Sequence, residues 1–287
     1  MRKIFTTALL MLVTVLWAQE PIELPLWPEK MPNSNGLTGK QEDLFGGRVA
    51  NVTHPSIYVY PASKPNGKAI IMCPGGGYAR LAMNHEGHDM AQWFNSQGIT
   101  YIVLKYRMPN GHHTVPITDA EQAIRMVRKH ASEWKVNPQC IGIMGASAGG
   151  HLAASLATLY SSKETRPDFQ ILLYPVITMT EQTHGGSKKN LLGSQSTDEL
   201  VKKYSLEMQV NSQTPPAFIT LSSDDKTVPP ANAIDYYSAL LLHQIPASLH
   251  VYPIGGHGWG FRDTFPYKRQ WTDELEKWLR EEILSAE

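Results

Sequence analysis

The chain lacks an excess of charge of either sign, has few cysteines, and carries no long apolar run beyond its first residues. Lys and Arg number 26, as do Asp and Glu. That balance offers no basic stripe to nucleic acid or to an anionic membrane surface, so no nucleic-acid partner is expected. Only Cys73 and Cys140 are present. Both read as residues of neighbouring parallel strands, Cys73 ending one and Cys140 beginning the other. A disulfide needs Cα atoms within roughly 7 Å, so no bridge is expected. The motif H-E-x-x-H is absent, and the histidines and acids are not spaced as a zinc site. No metal and no organic cofactor is expected. Repeats, low-complexity tracts and Pro/Gly/Ser-rich linkers are also missing.

At the N-terminus, Arg2 and Lys3 precede an apolar run from Ile4 to Trp17, and the small Ala18 comes before Gln19-Glu20. A positive start, a short apolar middle and a small residue at the cut describe a secretory signal peptide over residues 1–18. The run is short of the ~20 residues of a spanning helix, and no cysteine lies near Ala18 to carry a lipid. The expectation is an exported protein, periplasmic or secreted, without stable membrane insertion after cleavage. Its mature part, 19–287, reads as a single domain.

Short apolar runs alternate with segments of helical period, the pattern of βαβ units around a mostly parallel sheet. Strands are expected at Ser56–Tyr60, Lys68–Cys73, Tyr101–Tyr106, Cys140–Met144, Phe169–Leu173, Ala217–Leu221 and Ser248–Tyr252, with a poorly defined first strand within Asp43–Thr53. Ala120, Ala123, Ile124, Val127, Ala131 and Trp134 fall on one helical face. Trp271, Leu275, Trp278, Leu279 and Ile283 do the same further on. Between Tyr174 and Thr214 only a helix near Thr197–Tyr204 breaks a polar stretch. An insertion of this kind, about 175–214, either borders a site or is a surface excursion.

Gly145-Ala146-Ser147-Ala148-Gly149 fits G-x-S-x-G, and it follows the apolar Ile141–Met144 and opens a helix from Gly150 through Tyr160. Such an elbow holds its serine in a tight turn that only small neighbours tolerate. It also sets the hydroxyl at a helix N-terminus, where N–H groups favour a developing negative charge. A hydroxyl needs a base, and the base needs a third group to orient it. His257, in Gly255-Gly256-His257-Gly258 after the last strand, stands where this architecture places its base. His151 lies four residues past Ser147, along the helix, and its ring is expected to pack rather than reach the serine. His112 and His113 fall in a polar loop. Two acids follow Ala217–Leu221. The usual placement, three residues before a Val-Pro pair, selects Asp225 and leaves Asp224 as a turn residue that bonds its own backbone. Ser, then Asp, then His is the chain order of the α/β-hydrolase triad. Pro74-Gly75-Gly76-Gly77-Tyr78 exposes backbone donors after its strand, so Gly76 or Gly77, with Ala148, are the candidate oxyanion hole.

These motifs resemble those of bacterial α/β-hydrolase esterases grouped with acetylxylan esterases, on the prolyl-oligopeptidase-like and BD-FAE-like branch. The likeness runs from Leu26-Trp27-Pro28 almost to the C-terminus and includes His85-Glu86-Gly87, Leu104-Lys105-Tyr106-Arg107 and Gly150-His151-Leu152-Ala153. It implies a mostly parallel sheet with helices on both faces. It also implies a serine carboxylesterase that removes acetyl or similar groups from a plant polysaccharide or oligosaccharide such as xylan. Pro74 stands where lipase-like relatives carry histidine before the glycines; backbone donors survive that change. A feruloyl esterase would use the same three residues. A peptidase of this fold usually carries an accessory domain, and an inactive sugar-binding relative would lack a triad member. Glu86 is a candidate substrate-binding residue, expected to pair with His151 or Arg107 near the site, or else to start a helix. Tyr106 and Arg107 are expected to brace the core. Tyr78 and Trp259 are candidate substrate-binding rings, stacking on a sugar or an aromatic acyl group, or else core aromatics.

Overall fold

Strands whose sequence is apolar throughout need cover on both faces, so they take the middle of a sheet. The computed structural model, which describes residues 20–283, has a main sheet of eight strands with its apolar members inside. The eight are β1 (Ile22–Pro25), β2 (Ser56–Tyr60), β3 (Gly67–Cys73), β4 (Thr100–Lys105), β5 (Val136–Ala146), β6 (Phe169–Leu173), β7 (Ala217–Ser222) and β8 (Ala247–Tyr252). Their order is β1-β2-β4-β3-β5-β6-β7-β8. The first two pairings are antiparallel and the rest parallel. The central β3, β6 and β7 are buried almost throughout, whereas the edge strand β1 is largely open to solvent and the other edge, β8, is half-buried. The segment read as a signal peptide lies outside the described residues.

The helices are α1 (Ala91–Ser96), α2 (Thr114–Lys129), α3 (Ala148–Leu159), α4 (Gly185–Leu192), α5 (Asp198–Lys203), α6 (Ala231–Leu242) and α7 (Lys268–Glu281). The expected face of α2 is buried through Ala120, Ala123, Ile124 and Val127, and Ala131 and Trp134 continue it just past the helix end. α7 buries Trp271, Leu275, Trp278 and Leu279. α1 and α7 meet through the rings of Trp93 and Trp271, 6.4 Å apart, while α2 packs directly on α3.

The region Asp43–Thr53 differs from its reading as a first strand. Glu42–Leu44 and Arg48–Ala50 form a hairpin that joins Arg80–Ala82 in a separate three-stranded sheet. The chain turns back at Gly46 and Gly47, both at positive φ. The main sheet instead begins at β1, four residues whose order comes from antiparallel pairing with β2 rather than from any alternation of their own.

Register then places the chemistry. Cys73 pairs with Gly145, Ala146 with Leu173, Leu173 with Thr220, and Ser222 with Tyr252. The parallel strands therefore end level, and the loops after β3, β5, β6, β7 and β8 open on one edge, where this class of fold binds ligands. The same register keeps the cysteines apart. Cys140 lies five residues along β5 from the partner of Cys73, roughly 16 Å at ~3.3 Å per residue, and no disulfide joins them.

Candidate active site

Ser147 is the N-cap of α3 and sits at φ 54, ψ −121. A side-chain-bearing residue keeps such a backbone only where its surroundings over-determine it. Here its N–H donates to the carbonyl of Leu173, and its own carbonyl accepts from Val176, both at 3.0 Å. The flanking glycines are a steric need. A Cβ on Gly149 would stand 2.0 Å from the carbonyl oxygen of Cys73, and one on Gly145 2.0 Å from that of Gly149. The elbow thus presses the start of α3 onto the end of β3, bringing the serine against the glycine loop.

The Ser147 Oγ lies 2.7 Å from Nε2 of His257, and Nδ1 of the same ring lies 2.6 Å from Oδ2 of Asp225. A carboxylate only accepts, so Asp225 places the imidazole proton on Nδ1 and leaves Nε2 to accept from the serine hydroxyl. The other oxygen of Asp225 accepts from the backbone N–H of Thr227 and Val228, each at 2.9 Å. Asp225 and Ser147 are 6% exposed. Asp224 bonds not its own backbone but the N–H of Gly256, at 2.8 Å, and so clips the histidine loop to the acid loop.

In the glycine loop, the Gly75 N–H is already committed to Glu86 Oε2 at 3.0 Å. Among the described residues the N–H groups of Gly76, Gly77 and Ala148 have no acceptor. Gly76 and Gly77 hold positive φ, 135 and 66, conformations that favour glycine.

A BD-FAE family signature spans residues 56–240, more than half of the chain. The chain belongs to the BD-FAE family. It is 40% identical to an acetylxylan esterase of Xylanibacter ruminicola, over 97% of this chain and 55% of that protein. It is 38% identical to an endo-1,4-beta-xylanase B of Butyrivibrio fibrisolvens over 66% of this chain and 32% of that one. The chain thus spans about half the length of the first relative and a third of the second. Among solved structures, an acetyl ester-xyloside bifunctional hydrolase from Caldicellulosiruptor lactoaceticus superposes with a TM-score of 0.77 at 37% identity. That match covers 90% of this chain and 95% of that one.

In this BD-FAE chain the serine and histidine open on a cleft of about 380 Å³. A slightly larger hollow, about 410 Å³ between β8 and α7, holds neither the serine nor its partners. The insertion borders the cleft: His184, Gly186 and Asn190 line it, and the Asn190 side chain donates to the carbonyl of Gly77 at 2.8 Å. Burial, and then the neighbouring His257, push the His184 imidazole below its ordinary value.

The remaining expected residues fall differently. Glu86 pairs with neither His151 nor Arg107. Its carboxyl, 3% exposed, accepts from Gly75 and from the Tyr174 hydroxyl at 2.8 Å, and burial raises its pKa against these donors. Tyr78 is 2% exposed; its hydroxyl donates to Nδ1 of His151 at 2.9 Å, so it is a core ring rather than a sugar platform. Trp259 is 4% exposed, stacks on Phe265 at 4.2 Å and donates to Ser222, and is likewise core. Both corrections have one cause: rings beside the loops fill the space beneath them. His151 is fully buried, with Nε2–H donating to the carbonyl of Tyr204 at 2.9 Å. Tyr106 donates to the carbonyl of Pro74, and Arg107 forms a buried ion pair with Asp119 at 2.6 Å, so both brace the core as expected. His112 is exposed, while His113 is half-buried against the Tyr204 hydroxyl.

Sequence reasoning passed over Tyr174. Its ring meets His257 edge-on at 4.9 Å, and its hydroxyl accepts from Gly260 N–H while donating to Glu86. Its place directly after β6, on the edge where the other loops gather, was the available signal.

Proposed function

We propose that the chain is an exported serine esterase that removes acetyl groups from acetylated xylan and its oligosaccharides. The observation that carries this is the unbroken hydrogen-bonded line from Ser147 through His257 to Asp225. Nε2 takes the serine proton as Oγ attacks the ester carbonyl, and the resulting imidazolium faces the Asp225 carboxylate. The tetrahedral oxyanion is received by the unengaged N–H groups of Ala148 and of Gly76 or Gly77, with the N-terminus of α3 beneath it. His257 returns its proton to the departing sugar hydroxyl, then activates a water that releases acetate. No step calls on a metal or organic cofactor.

Similarity to an acetylxylan esterase and to an acetyl ester-xyloside hydrolase supports the substrate class. Export rests on the charged, apolar and small residues of 1–18. Among the described residues no helix is long and apolar enough to cross a membrane.

Acid release from acetylated, feruloylated arabinoxylan tests the proposal. Acetate should be the main product and should fall at least about 10⁴-fold in Ser147→Ala. Ferulate as the main product would move the acyl specificity while keeping the triad. Release of neither acid by the unaltered chain would overturn the reading.

A further inference from the structure

The cleft beside Ser147 is more basic than the chain that encloses it. Acidic and basic residues are equal in number overall, yet the cleft wall carries Arg48, Arg80 and Arg262. Among the described residues none of the three forms an ion pair with a carboxylate.

Strand register puts two of them there. In the small antiparallel sheet Arg48 pairs with Ala82 and Ala50 with Arg80. Paired residues, and residues two apart along a strand, share a face. Both arginines therefore stand diagonally on one side with only alanines between them, while Val49 and Leu81 on the other side pack into the core. Arg48, Arg80 and Ala82 all line the cleft, so this is the side turned to the serine. Arg262 arrives from the loop that carries His257. Its guanidinium donates to the carbonyl of Gly258 at 3.2 Å and lies 3.1 Å from Nε2 of His85. Burial, then the charges of Arg262 and Arg48, push the His85 imidazole down to about 4, so near neutral pH it accepts this hydrogen bond and holds the guanidinium.

The neighbouring acids offset the group only in part. Glu86 lines the same cleft and attracts Arg262 through space, but burial raises its pKa and its oxygens are held by Gly75 and Tyr174, while Asp225 is held by His257. Glu42 shares the arginine face but lies on the outer strand, opposite Ala50, and lines an adjacent hollow instead. Guanidiniums around one cavity repel each other until an anion joins them, and their planar fork matches a carboxylate.

We propose that Arg48, Arg80 and Arg262 form a carboxylate subsite, and that the preferred substrates are esters bearing a carboxylate away from the scissile bond. This deepens the esterase reading and rests on it. The carboxylate can belong to the sugar, as a uronic acid branch, or to the acyl group, as the free end of a dicarboxylic monoester.

Two matched pairs of substrates separate these sources: acetylated xylo-oligosaccharides with and without a uronic acid branch, and 4-nitrophenyl hemisuccinate against 4-nitrophenyl butyrate. The full chain should favour the charged member of one pair by about 10-fold in kcat/KM. That charged-to-neutral ratio should fall about 5-fold in Arg48→Gln or Arg80→Gln, and further in the double variant, mainly through KM. Arg48→Lys should keep part of it, and ~0.5 M salt should erode it. The neutral ester reports on any general damage. A ratio near one for both pairs, or one untouched in the double variant, would overturn the subsite. If no ester of the four is turned over, the esterase reading fails instead. Calorimetric binding of the uronic-acid oligosaccharide to the full chain and to the double variant then decides the subsite: equal affinity, or none, refutes it.

Discussion

Asp224 and Asp225 are adjacent and chemically alike, and the fold gives them different work. The first is exposed and accepts one backbone N–H from the histidine loop. The second is buried and meets the imidazole itself at 2.6 Å. Asp225→Asn keeps the shape but loses the carboxylate that sets the histidine tautomer, so kcat should fall about 10⁴-fold with little change in melting temperature. Asp224→Ala removes only a clip worth about 1 kcal/mol, and its rate loss should stay under about 10-fold. Steady-state kinetics on 4-nitrophenyl acetate beside thermal melts would check this; equal losses would sink the division of roles. Spacing before Val228-Pro229 pointed to Asp225, but the bond from Asp224 to Gly256 joins positions 32 residues apart. Local pattern does not encode such a contact. The same holds for Tyr78 and Trp259: residue type suited a sugar platform as well as a core, and only packing distinguishes the two.

At the scale of elements, the stretch about 175–214 is tied to the glycine loop, to α3 and to the loop before α2. The N–H of Gly111 donates to the carbonyl of Asn190, while the Asn190 side chain holds the carbonyl of Gly77. Nε2 of His151, on α3, donates to the carbonyl of Tyr204. This segment thus helps set where the Gly76 and Gly77 donors point. Asn190→Ala should loosen the glycine loop, lowering kcat on a small neutral ester by about 10-fold and stability by only about 1 kcal/mol. Unaltered kcat with an intact fold would show that the loop is held without α4. From sequence the segment read either as bordering a site or as a plain excursion, because what decides is a side-chain bond across 113 residues.

For the whole molecule, acidity should be a weak point. The His151 imidazole is pushed from 6.5 down to about 4 by burial. Between those values the unfolded chain binds a proton that the folded chain refuses. The stability tied to this group is therefore fully present above pH 6.5 and is lost as pH falls toward about 4, roughly 3 kcal/mol in all. His85, also pushed down, acts in the same sense. The carboxyls of Glu86 and Asp168, raised by burial, act in the opposite one. Urea midpoints at several pH values for the unaltered chain and for His151→Gln separate these contributions. The variant should show the shallower decline between pH 6.5 and 4. Parallel curves would exclude His151 as a cause.

What the sequence determined by itself is what depends on chain order and close neighbours. Apolar runs marked the central strands, and small residues around Ser147 marked an elbow that admits nothing larger. The order of serine, acid and base matched strands whose ends the register makes level. The tertiary structure alone decided the rest: the hairpin that became an arginine wall, the partners of Glu86, the place of Tyr174 beside the base, and the anchoring of the insertion. Each of these needs two segments far apart in the chain to meet. Where they meet is set by burial of the shared core, to which no local pattern gives access.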